Sequence, residues 1–302
     1  MLERPPFPET IDNSALSAFR SCPRKFELEY LRHWKPKTPN IHLHAGGAFA
    51  RGLEVAREEF YVKGAAPELS VARGVAAMLD FYGMFDAPEE SVKGPDRMAG
   101  AMVYYFDQWK LHEDNAIPST FPSGKRGIEF SFLEPLDLAH PITGNPFLYS
   151  GRFDMVCDYA GGRFGEDDKT ASQLGATWPR QWEMRAQFTG YCWGARQSGY
   201  PIDGMLVRAV SILKRGYDHA QTVTYRPQWT IDRWYAQTIK DIKRMIRMWE
   251  EGYFDYNLDE ACNSFGGCVF KQVCLSKDPE PWLETGFEKR KWDPVLRTET
   301  KL

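Results

Sequence analysis

The sequence predicts an α/β fold, with a helical front third followed by a section in which strands and helices alternate. Up to about residue 112, apolar residues recur at the spacing of helices that bury one face. From Gly127 the period changes, and short apolar runs are joined by turns that contain glycine or proline, which is typical of strands.

The predicted helices cover Ser14–His33, Gly46–Tyr61, Arg97–His112, Trp178–Gln197 and Ile231–Gly252. The predicted strands cover Ile128–Leu133, Leu148–Tyr159, Arg163–Lys169, Met205–Leu213 and Gln221–Tyr225. Ser14 or Ser17 is expected to cap the first helix, and loops are expected around 64–67 and 87–95. The tail after Lys277 has too little apolar periodicity for an element. Three domains follow from this reading: a helical region over 1–126, a core over 127–252 and a cysteine-containing segment over 253–302.

Composition indicates a globular chain that binds no membrane. Its 302 residues are 43% hydrophobic and 14% aromatic, which is enough to bury a substantial core. The sequence has no run of about 18 apolar residues, and Met1–Thr10 lacks the apolar segment of a secretion signal. We therefore expect a cytoplasmic protein.

The clustered cysteines are candidate metal ligands, because a reducing compartment disfavours a disulfide framework. They are Cys22, Cys262, Cys268 and Cys274. Cys157 and Cys192 stand apart in apolar surroundings, so we expect both in the core.

A formal net charge of −3 excludes a generally basic surface, so any contact with DNA must come from local patches. One candidate is the N-terminal segment, with Arg20, Arg24, Lys25, Arg32, Lys35 and Lys37. The other is a basic stripe at helical spacing, formed by Lys240, Lys243, Arg244 and Arg247. A solvated surface helix has the same pattern, so the stripe alone leaves both interpretations open.

Acidic residues near the ends of two predicted strands are candidates for a metal site. Asp154 and Asp167 would converge if these strands pair across the turn at Gly161-Gly162. Because successive strand residues face opposite sides, Lys169 would point with Asp167 and Asp168 would point away. Carboxylates in this arrangement suit Mg²⁺ or Mn²⁺ and the cleavage of phosphodiesters. An acidic surface turn beside a lysine would look the same.

Gln187 and Tyr191, four residues apart, share one face of the predicted helix that follows. Their amide and phenol could hold a phosphate or a metal-bound water. The alternative is a buried tyrosine beside a surface glutamine.

Five segments in this order resemble the PD-(D/E)XK nuclease superfamily over roughly residues 14–275. They are the segment from Ser14 through Cys22 to Phe26, Gly151-Arg-Phe-Asp154, Asp167-Asp-Lys169-Thr, Gln187-Phe-Thr-Gly-Tyr191 and the C-terminal cysteines. The most similar branch is the RecB-type group with an iron–sulfur cluster, which includes CRISPR-associated adaptation exonucleases, the AddB nuclease domain and phage relatives.

This resemblance implies a restriction-endonuclease-like core, in which helices flank a mixed central sheet, and a Mg²⁺- or Mn²⁺-dependent DNA exonuclease. Asp154 and Asp167 would bind the metal, Lys169 would assist the water, and Gln187 with Tyr191 would complete the site. The four candidate cysteines would hold a 4Fe-4S cluster that clamps the C-terminus. Such proteins act in recombination, repair, phage DNA processing or CRISPR adaptation, beside a helicase, an integrase or an annealing protein.

Two departures from the family pattern leave alternatives open. The spacing Cys-Xaa5-Cys-Xaa5-Cys is wider than the usual first step, and four thiolates also suit zinc. Ala50 stands where the family usually has a metal-binding histidine. His44 or Glu54 could substitute for it, unless they are a loop histidine and a solvated helix glutamate. Glu129 could supply a further carboxylate or be a surface charge on an edge strand. The competing function is a non-catalytic module that binds DNA ends or proteins, and a third is a structural zinc protein.

Overall fold

The computed structural model of the chain describes residues 4–38, 40–85 and 91–294, without the side chain of Phe265. Its α-helices are α1 Asn13–Ser21, α2 Pro23–Phe26, α3 Ile41–Arg57, α4 Pro67–Tyr82, α5 Pro95–Gln108, α6 Ala186–Gln197, α7 Gln228–Glu251, α8 Glu260–Asn263, α9 Lys271–Leu275 and α10 Glu280–Gly286. Shorter turns are π-helical at Glu27–Leu31 and Glu58–Val62 and 3-10 at Pro179–Trp182 and Ser264–Gly266. The strands are β1 Thr10–Asp12, β2 Trp34–Pro36, β3 Ile117–Pro118, β4 Ser131–Ala139, β5 Pro146–Arg152, β6 Met155–Tyr159, β7 Gly162–Ala171, β8 Gly204–Ile212, β9 Tyr217–Tyr225 and β10 Phe287–Lys289.

The described chain forms two compact units. The acidic unit comprises residues 40–85, 91–131 and 152–228, and it contains a five-stranded sheet in the order β3-β6-β7-β8-β9. The cysteine unit comprises residues 4–38, 132–151 and 229–294. It contains a three-stranded sheet in the order β1-β5-β4 and the pair formed by β10 and β2.

The sheet of the acidic unit is organised around one parallel pair, β7 and β8. Parallel neighbours need a crossover connection, which α6 supplies. Every residue of β8 is buried, as expected for a central strand covered on both faces. β6 pairs antiparallel with β7 through the turn at Gly161, whose left-handed φ of 83° favours glycine. The predicted hairpin and the predicted mixed sheet are therefore confirmed.

The backbones of helices α3 and α4 lie in close contact where the two helices cross. A Cβ added to Gly74 of α4 would lie 2.6 Å from the carbonyl oxygen of Gly52 and 2.8 Å from the Cβ of Ala56. Neither of these α3 atoms belongs to a flexible side chain, so the crossing requires a residue without Cβ. A buried apolar cluster that includes Phe49 and Met78 surrounds this contact.

Helix α4 was not predicted from the sequence, because only loops were expected between the predicted helices Gly46–Tyr61 and Arg97–His112. The helix begins at Pro67, the first helical position, where proline is favoured because its missing N–H would be unpaired. Its apolar residues are not confined to one face: Leu69 and Phe81 are exposed, whereas Met78 and Tyr82 are buried. The amphipathic signal of a helix is therefore weak here. Residues 86–90, which include part of the second predicted loop, lie outside the described residues.

The first helix is shorter than predicted, and a different residue caps it. Asp12, rather than either predicted serine, accepts a 2.8 Å hydrogen bond from the amide of Ala15. Cys22 adopts an extended conformation between α1 and α2. The predicted helix Ser14–His33 is therefore two helices and a π-helical turn that ends at Leu31.

Three further predictions need correction. The predicted strand Leu148–Tyr159 is divided into β5 and β6, because the chain leaves the ladder at Phe153 and Asp154. The predicted helix Trp178–Gln197 is a 3-10 turn followed by α6. The tail after Lys277 was predicted to lack elements, but it forms α10 and β10, and β10 pairs with β2.

The remaining predicted elements are confirmed with small shifts. α3, α5, α7, β7, β8 and β9 begin within five residues of the predicted positions. β4 begins at Ser131, whereas Ile128 forms an isolated bridge with Met155. Cys157 and Cys192 are buried, as expected. Among the described residues, no helix is long and apolar enough to span a bilayer. The three predicted domains stay a prediction.

Gly74→Ala is expected to destabilise the protein, although alanine is the better helix former. The added methyl group would meet the α3 backbone, and overpacking of this kind costs about 1–3 kcal/mol. Gly46→Ala is the matched control, because the new Cβ would have no atom within 4 Å. It is expected to stabilise the protein by roughly 0.5–1 kcal/mol. Urea unfolding measures both effects, and a stabilised Gly74→Ala variant would contradict the close helix contact.

Candidate functional site

Asp154 and Asp167 lie close together at the open end of the β6–β7 hairpin. Met155 and Glu166 form the last pair of the antiparallel ladder, Asp154 and Asp167 are the residues next to that pair, and the charge of Asp167 raises the pKa of Asp154. This register brings together two carboxylates that the sequence separates by a whole hairpin.

Asp154 is placed by aromatic packing and by one backbone hydrogen bond. The ring centroid of Phe153, its neighbour, lies 5.7 Å from that of Phe130 and 4.7 Å from that of Tyr191. The Oδ2 atom of Asp154 accepts a 2.8 Å hydrogen bond from the amide of Asp168. Both contacts hold the residue at the point where the chain enters β6.

The charged residues of β7 alternate between two sets of partners. Lys169 forms an ion pair with Asp167. Glu166 and Asp168 point the other way and form ion pairs with Arg57 of α3. This is the alternation predicted from the sequence, in which Asp168 faces away from Asp167 and Lys169.

Behind β7, the acidic unit contains a buried polar network. Arg57 Nη1 lies 2.8 Å from Asp168 Oδ2, and Arg57 Nη2 donates a 2.9 Å hydrogen bond to the Tyr105 hydroxyl. That hydroxyl donates to Asp168 Oδ1 at 2.7 Å. Arg208 continues the network with two 2.6 Å hydrogen bonds to Asp114. Buried charges are tolerated only when they are paired and hydrogen-bonded, as here.

Burial and mutual repulsion raise the pKa of the site carboxyls. Burial, then the charges of Asp167 and Asp168, raises the pKa of Asp154 to about 7. Burial also raises the pKa of Asp167, although Lys169 acts in the opposite direction. Burial, followed by repulsion from Asp154, raises the pKa of Glu129 to about 8. The site therefore holds more carboxyl groups than its own cations neutralise.

Glu129 belongs to this group and is not a surface charge, since only 8% of it is exposed. Its amide donates a 3.0 Å hydrogen bond to the Asp154 carbonyl, and its Oε2 lies 2.9 Å from Arg152 Nε. Its φ of 50° is a left-handed conformation that residues other than glycine rarely adopt. Such strain occurs where surrounding contacts hold a residue in place.

Helix α3 brings a glutamate to the carboxylates. Glu54 lies close enough to Glu129 to raise its pKa. Ala50 occupies the same helix face one turn earlier. His44 instead stacks on Phe85, with ring centroids 4.2 Å apart. Of the two α3 candidates for a replacement ligand, Glu54 is therefore the one that acts on the site.

Gln187 and Tyr191 share a face of α6, as their spacing predicts. Gln187 Nε2 donates a 2.9 Å hydrogen bond to the Tyr191 hydroxyl, and the Tyr191 ring packs against Phe153. The exposed Arg185 precedes this helix and lies close enough to Asp167 to lower its pKa. The α6 pair and Arg185 therefore lie beside the facing carboxylates.

Four residues of this region were not predicted: Arg57, Tyr105, Arg185 and Arg208. Arg57 could have been considered on the basis of its spacing, because it lies three residues after Glu54 on α3. Arg208 is marked by its position inside the apolar run of β8, where a charge needs a partner. No local pattern distinguishes Tyr105 or Arg185.

The four candidate ligand cysteines all belong to the cysteine unit and are free thiols. The Cys268 amide donates a 3.0 Å hydrogen bond to the Cys262 carbonyl, and the Asn257 amide lies 3.5 Å from Cys22 Sγ. Burial raises the pKa of Cys274 to about 11, and the three other thiols act in the same direction. The ends of this unit thus bring the thiols into one region.

Within the described ranges, no three His, Cys, Asp or Glu side chains stand in the arrangement of a metal site. Mg²⁺ and Mn²⁺ bind through one or two carboxylates and complete their shell with water and phosphate, so Asp154 and Asp167 fit such an ion. The cysteines have the donor chemistry of an iron–sulfur or zinc site without its closed arrangement.

The two predicted basic patches differ in how far their side chains are exposed to solvent or paired with other residues. The residues of the α7 stripe are all exposed: Lys240, Lys243, Arg244 and Arg247. Their helix buries its apolar face, including Ile242 and Trp249. In the N-terminal segment, Arg24 is paired with Glu27, and Lys25 lies near the thiol of Cys268.

Asp154→Asn is expected to stabilise the metal-free protein at about pH 8, and progressively less as the pH is lowered towards 4. An aspartate in the unfolded chain has a pKa near 4. The folded-state pKa is about 7, so between these values folding takes up a proton and stability falls as pH rises. Removing this cost is worth on the order of 4 kcal/mol above pH 7, because each unit of pKa difference corresponds to about 1.4 kcal/mol.

Thermal unfolding in the presence of a chelator measures this effect. Asp158→Asn, at an exposed carboxylate of β6, is the control and should leave the pH dependence unchanged. Equal stabilities of parent and Asp154→Asn at high pH would contradict the electrostatic account.

Comparison with known proteins identifies a family. The model of the PD-(D/E)XK nuclease superfamily matches residues 13–275. A solved structure from Eubacterium rectale, of a protein provisionally named an exonuclease, is 12% identical, covers 89% of this chain and 93% of its own, and has a TM-score of 0.50. The structure of SSO0001 is 14% identical, with coverages of 76% and 85% and a TM-score of 0.31. No curated protein matches.

The first of these structures shows a likeness of fold, and the mixed sheet with flanking helices fits a restriction-endonuclease-like core. The family match extends from α1 to α9 and includes both facing carboxylates. It thus covers most of the sequence. The chain belongs to the PD-(D/E)XK nuclease superfamily.

Proposed function

We propose that this protein is a metal-dependent DNA exonuclease. The observation that carries the proposal is the proximity of Asp154 and Asp167, with Lys169 paired to Asp167 on the same face of β7. Nucleases of this superfamily generally use Mg²⁺ or Mn²⁺. The name of the Eubacterium rectale protein supports action on DNA ends.

Asp154 and Asp167 would hold the metal ion, which when bound would polarise the scissile phosphate and make water a better nucleophile. The ammonium group of Lys169, which forms an ion pair with Asp167, would orient the attacking water and offset charge that develops on the phosphate. Asp167 is buried and Asp154 is partly buried, so little bulk water surrounds the two carboxylates, which strengthens these interactions.

Gln187 and Tyr191 would position the phosphate or the water through their hydrogen-bonded amide and phenol groups. Arg185, exposed beside Asp167, would face the phosphate of the substrate strand. Glu54 is our candidate for the role of the histidine that the family pattern places at Ala50, and Glu129 is a candidate for a further carboxylate.

The basic stripe on α7 is proposed to contact the DNA backbone, together with Arg24 and Lys25. Replacing Lys243 and Arg244 with glutamine should weaken binding to all sequences. It should also reduce the slope of log K against log salt by about 0.7–0.9 per lost phosphate contact. An unchanged slope would identify the stripe as a solvated helix face.

We propose that Cys22, Cys262, Cys268 and Cys274 hold a 4Fe-4S cluster, which would place the protein in the RecB-type branch. The proximity of the four free thiols within the cysteine unit supports this assignment. The cluster would join the start of that unit to its end and stabilise it. A partner helicase, integrase or annealing protein, in recombination, repair, phage DNA processing or CRISPR adaptation, is proposed from the branch alone.

Asp167→Asn is expected to reduce cleavage of linear DNA in Mg²⁺ or Mn²⁺ by roughly a hundredfold or more, since it weakens both the metal site and the Lys169 pair. The measurement uses end-labelled single- and double-stranded DNA beside closed circular DNA. Asp158→Asn serves as the control on the same hairpin.

Loss of linear DNA alone identifies an exonuclease, whereas loss of the circle as well identifies an endonuclease. If the parent binds DNA ends but cleaves neither substrate, the alternative of a non-catalytic binding module, which Ala50 favours, replaces the proposal.

Cys268→Ser is expected to lower the iron and sulfide content of anaerobically purified protein. The parent should contain about four iron and four sulfide per chain, because the proposed cluster is a cubane with four thiolate ligands. Cys192→Ser, at a buried cysteine of the acidic unit, should leave these contents unchanged. One zinc per chain and no iron in the parent would refute the cluster.

A further inference from the structure

Asp168 is held at every polar atom of its carboxylate. Tyr105 donates to Oδ1 at 2.7 Å, and Arg57 Nη1 lies 2.8 Å from Oδ2. Only 1% of the Asp168 side chain is exposed, and Arg57 is also buried. These are charge-assisted contacts in a site without bulk water, so they restrict the carboxylate strongly.

The backbone of the same residue holds Asp154. The amide of Asp168 donates to Asp154 Oδ2 at 2.8 Å. A continuous set of contacts therefore runs from α3 and α5 through the side chain of Asp168 to its amide and then to the carboxylate of Asp154. Arg57 also pairs with Glu166, so it holds the residues on both sides of Asp167.

We propose that Arg57 and Tyr105 are positioning residues, which act through Asp168 to orient the Asp154 carboxylate for the divalent metal ion. The proposal rests on the proposed function for the identity of that ion. Asp168 is also paired with β8, so loss of the two contacts would not unfold the strand. It would leave a buried carboxylate without its partners, and the small backbone shift that relieves this cost would move the amide that holds Asp154. Groups that orient a metal ligand typically contribute about 10- to 100-fold to metal affinity or activity.

The same network contains a matched control. Arg208 makes two hydrogen bonds to Asp114, and Arg208 Nη1 lies 3.6 Å from Glu166. Asp114 has no contact with Asp168 or Asp154 among its hydrogen bonds and ion pairs within the described residues. Asp114→Asn therefore disturbs a buried ion pair without touching the contacts that lead to the metal.

The experiment compares Tyr105→Phe, Asp168→Asn and Asp114→Asn with the parent. Binding of Mn²⁺ alone is measured by calorimetry without DNA, and thermal unfolding is recorded with a chelator. Tyr105→Phe removes one hydroxyl and is expected to raise the Kd for Mn²⁺ about tenfold, and Asp168→Asn at least as much. Asp114→Asn is expected to lower Tm while leaving that Kd within about twofold of the parent.

Unchanged Mn²⁺ affinity in folded Tyr105→Phe and Asp168→Asn would overturn the proposal. So would an equal loss of affinity in Asp114→Asn, because the network would then act only through general stability. The readout is independent of cleavage. A parent that binds Mn²⁺ but cleaves no DNA would refute the exonuclease function, and the variants would still decide whether Asp168 orients the metal ligand.

Discussion

The pairing of buried charges on β7 is the constraint around which the acidic unit is arranged. Glu166 to Lys169 are consecutive charged residues in a strand that lies inside the sheet. A charge removed from water costs several kcal/mol unless it has a partner, and a strand sends neighbouring side chains to opposite faces. Each face must therefore be neutralised separately. Arg57 and Arg208 do so behind the strand. In front, Lys169 is outnumbered by carboxyl groups, and this excess of negative charge suits a bound cation.

Helix α3 connects these two faces. It supplies Arg57 to the network behind β7 and Glu54 to the carboxylates in front. The glycine contact with α4 fixes its position at the level of the backbone. A helix held in this way can contribute to the site with Ala50 in place of an imidazole. Its remaining contributions are a carboxylate and a guanidinium, which change the charge of the site and the orientation of its ligands.

Local patterns in the sequence predicted the features of the site that depend on neighbouring residues. Side chains alternate between the two faces of a strand, so Asp167 and Lys169 lie on one face and Asp168 on the other. Asp154 and Asp167 come close together because a glycine turn folds their two segments into a hairpin. Arg57 and Tyr105 were missed because they contact residues far away in the chain, and the spacing of neighbouring residues carries no information about such contacts. The cap at Asp12 was missed because two serines nearby have the same chemistry. The clustering of the cysteines predicted metal ligation, but the assignment to an iron–sulfur cluster came only from family resemblance, since spacing does not distinguish iron from zinc.

The separation of these contacts along the chain also bears on how the protein folds. Arg57 meets Glu166 across 109 residues, and Arg208 meets Asp114 across 94. Contacts over such distances close slowly, because the intervening chain must lose its freedom before they form. During synthesis, α3 leaves the ribosome long before the strand that it will pair with. The buried arginine of α3 must therefore stay hydrated until the sheet arrives, and the carboxylates reach their final arrangement late in folding.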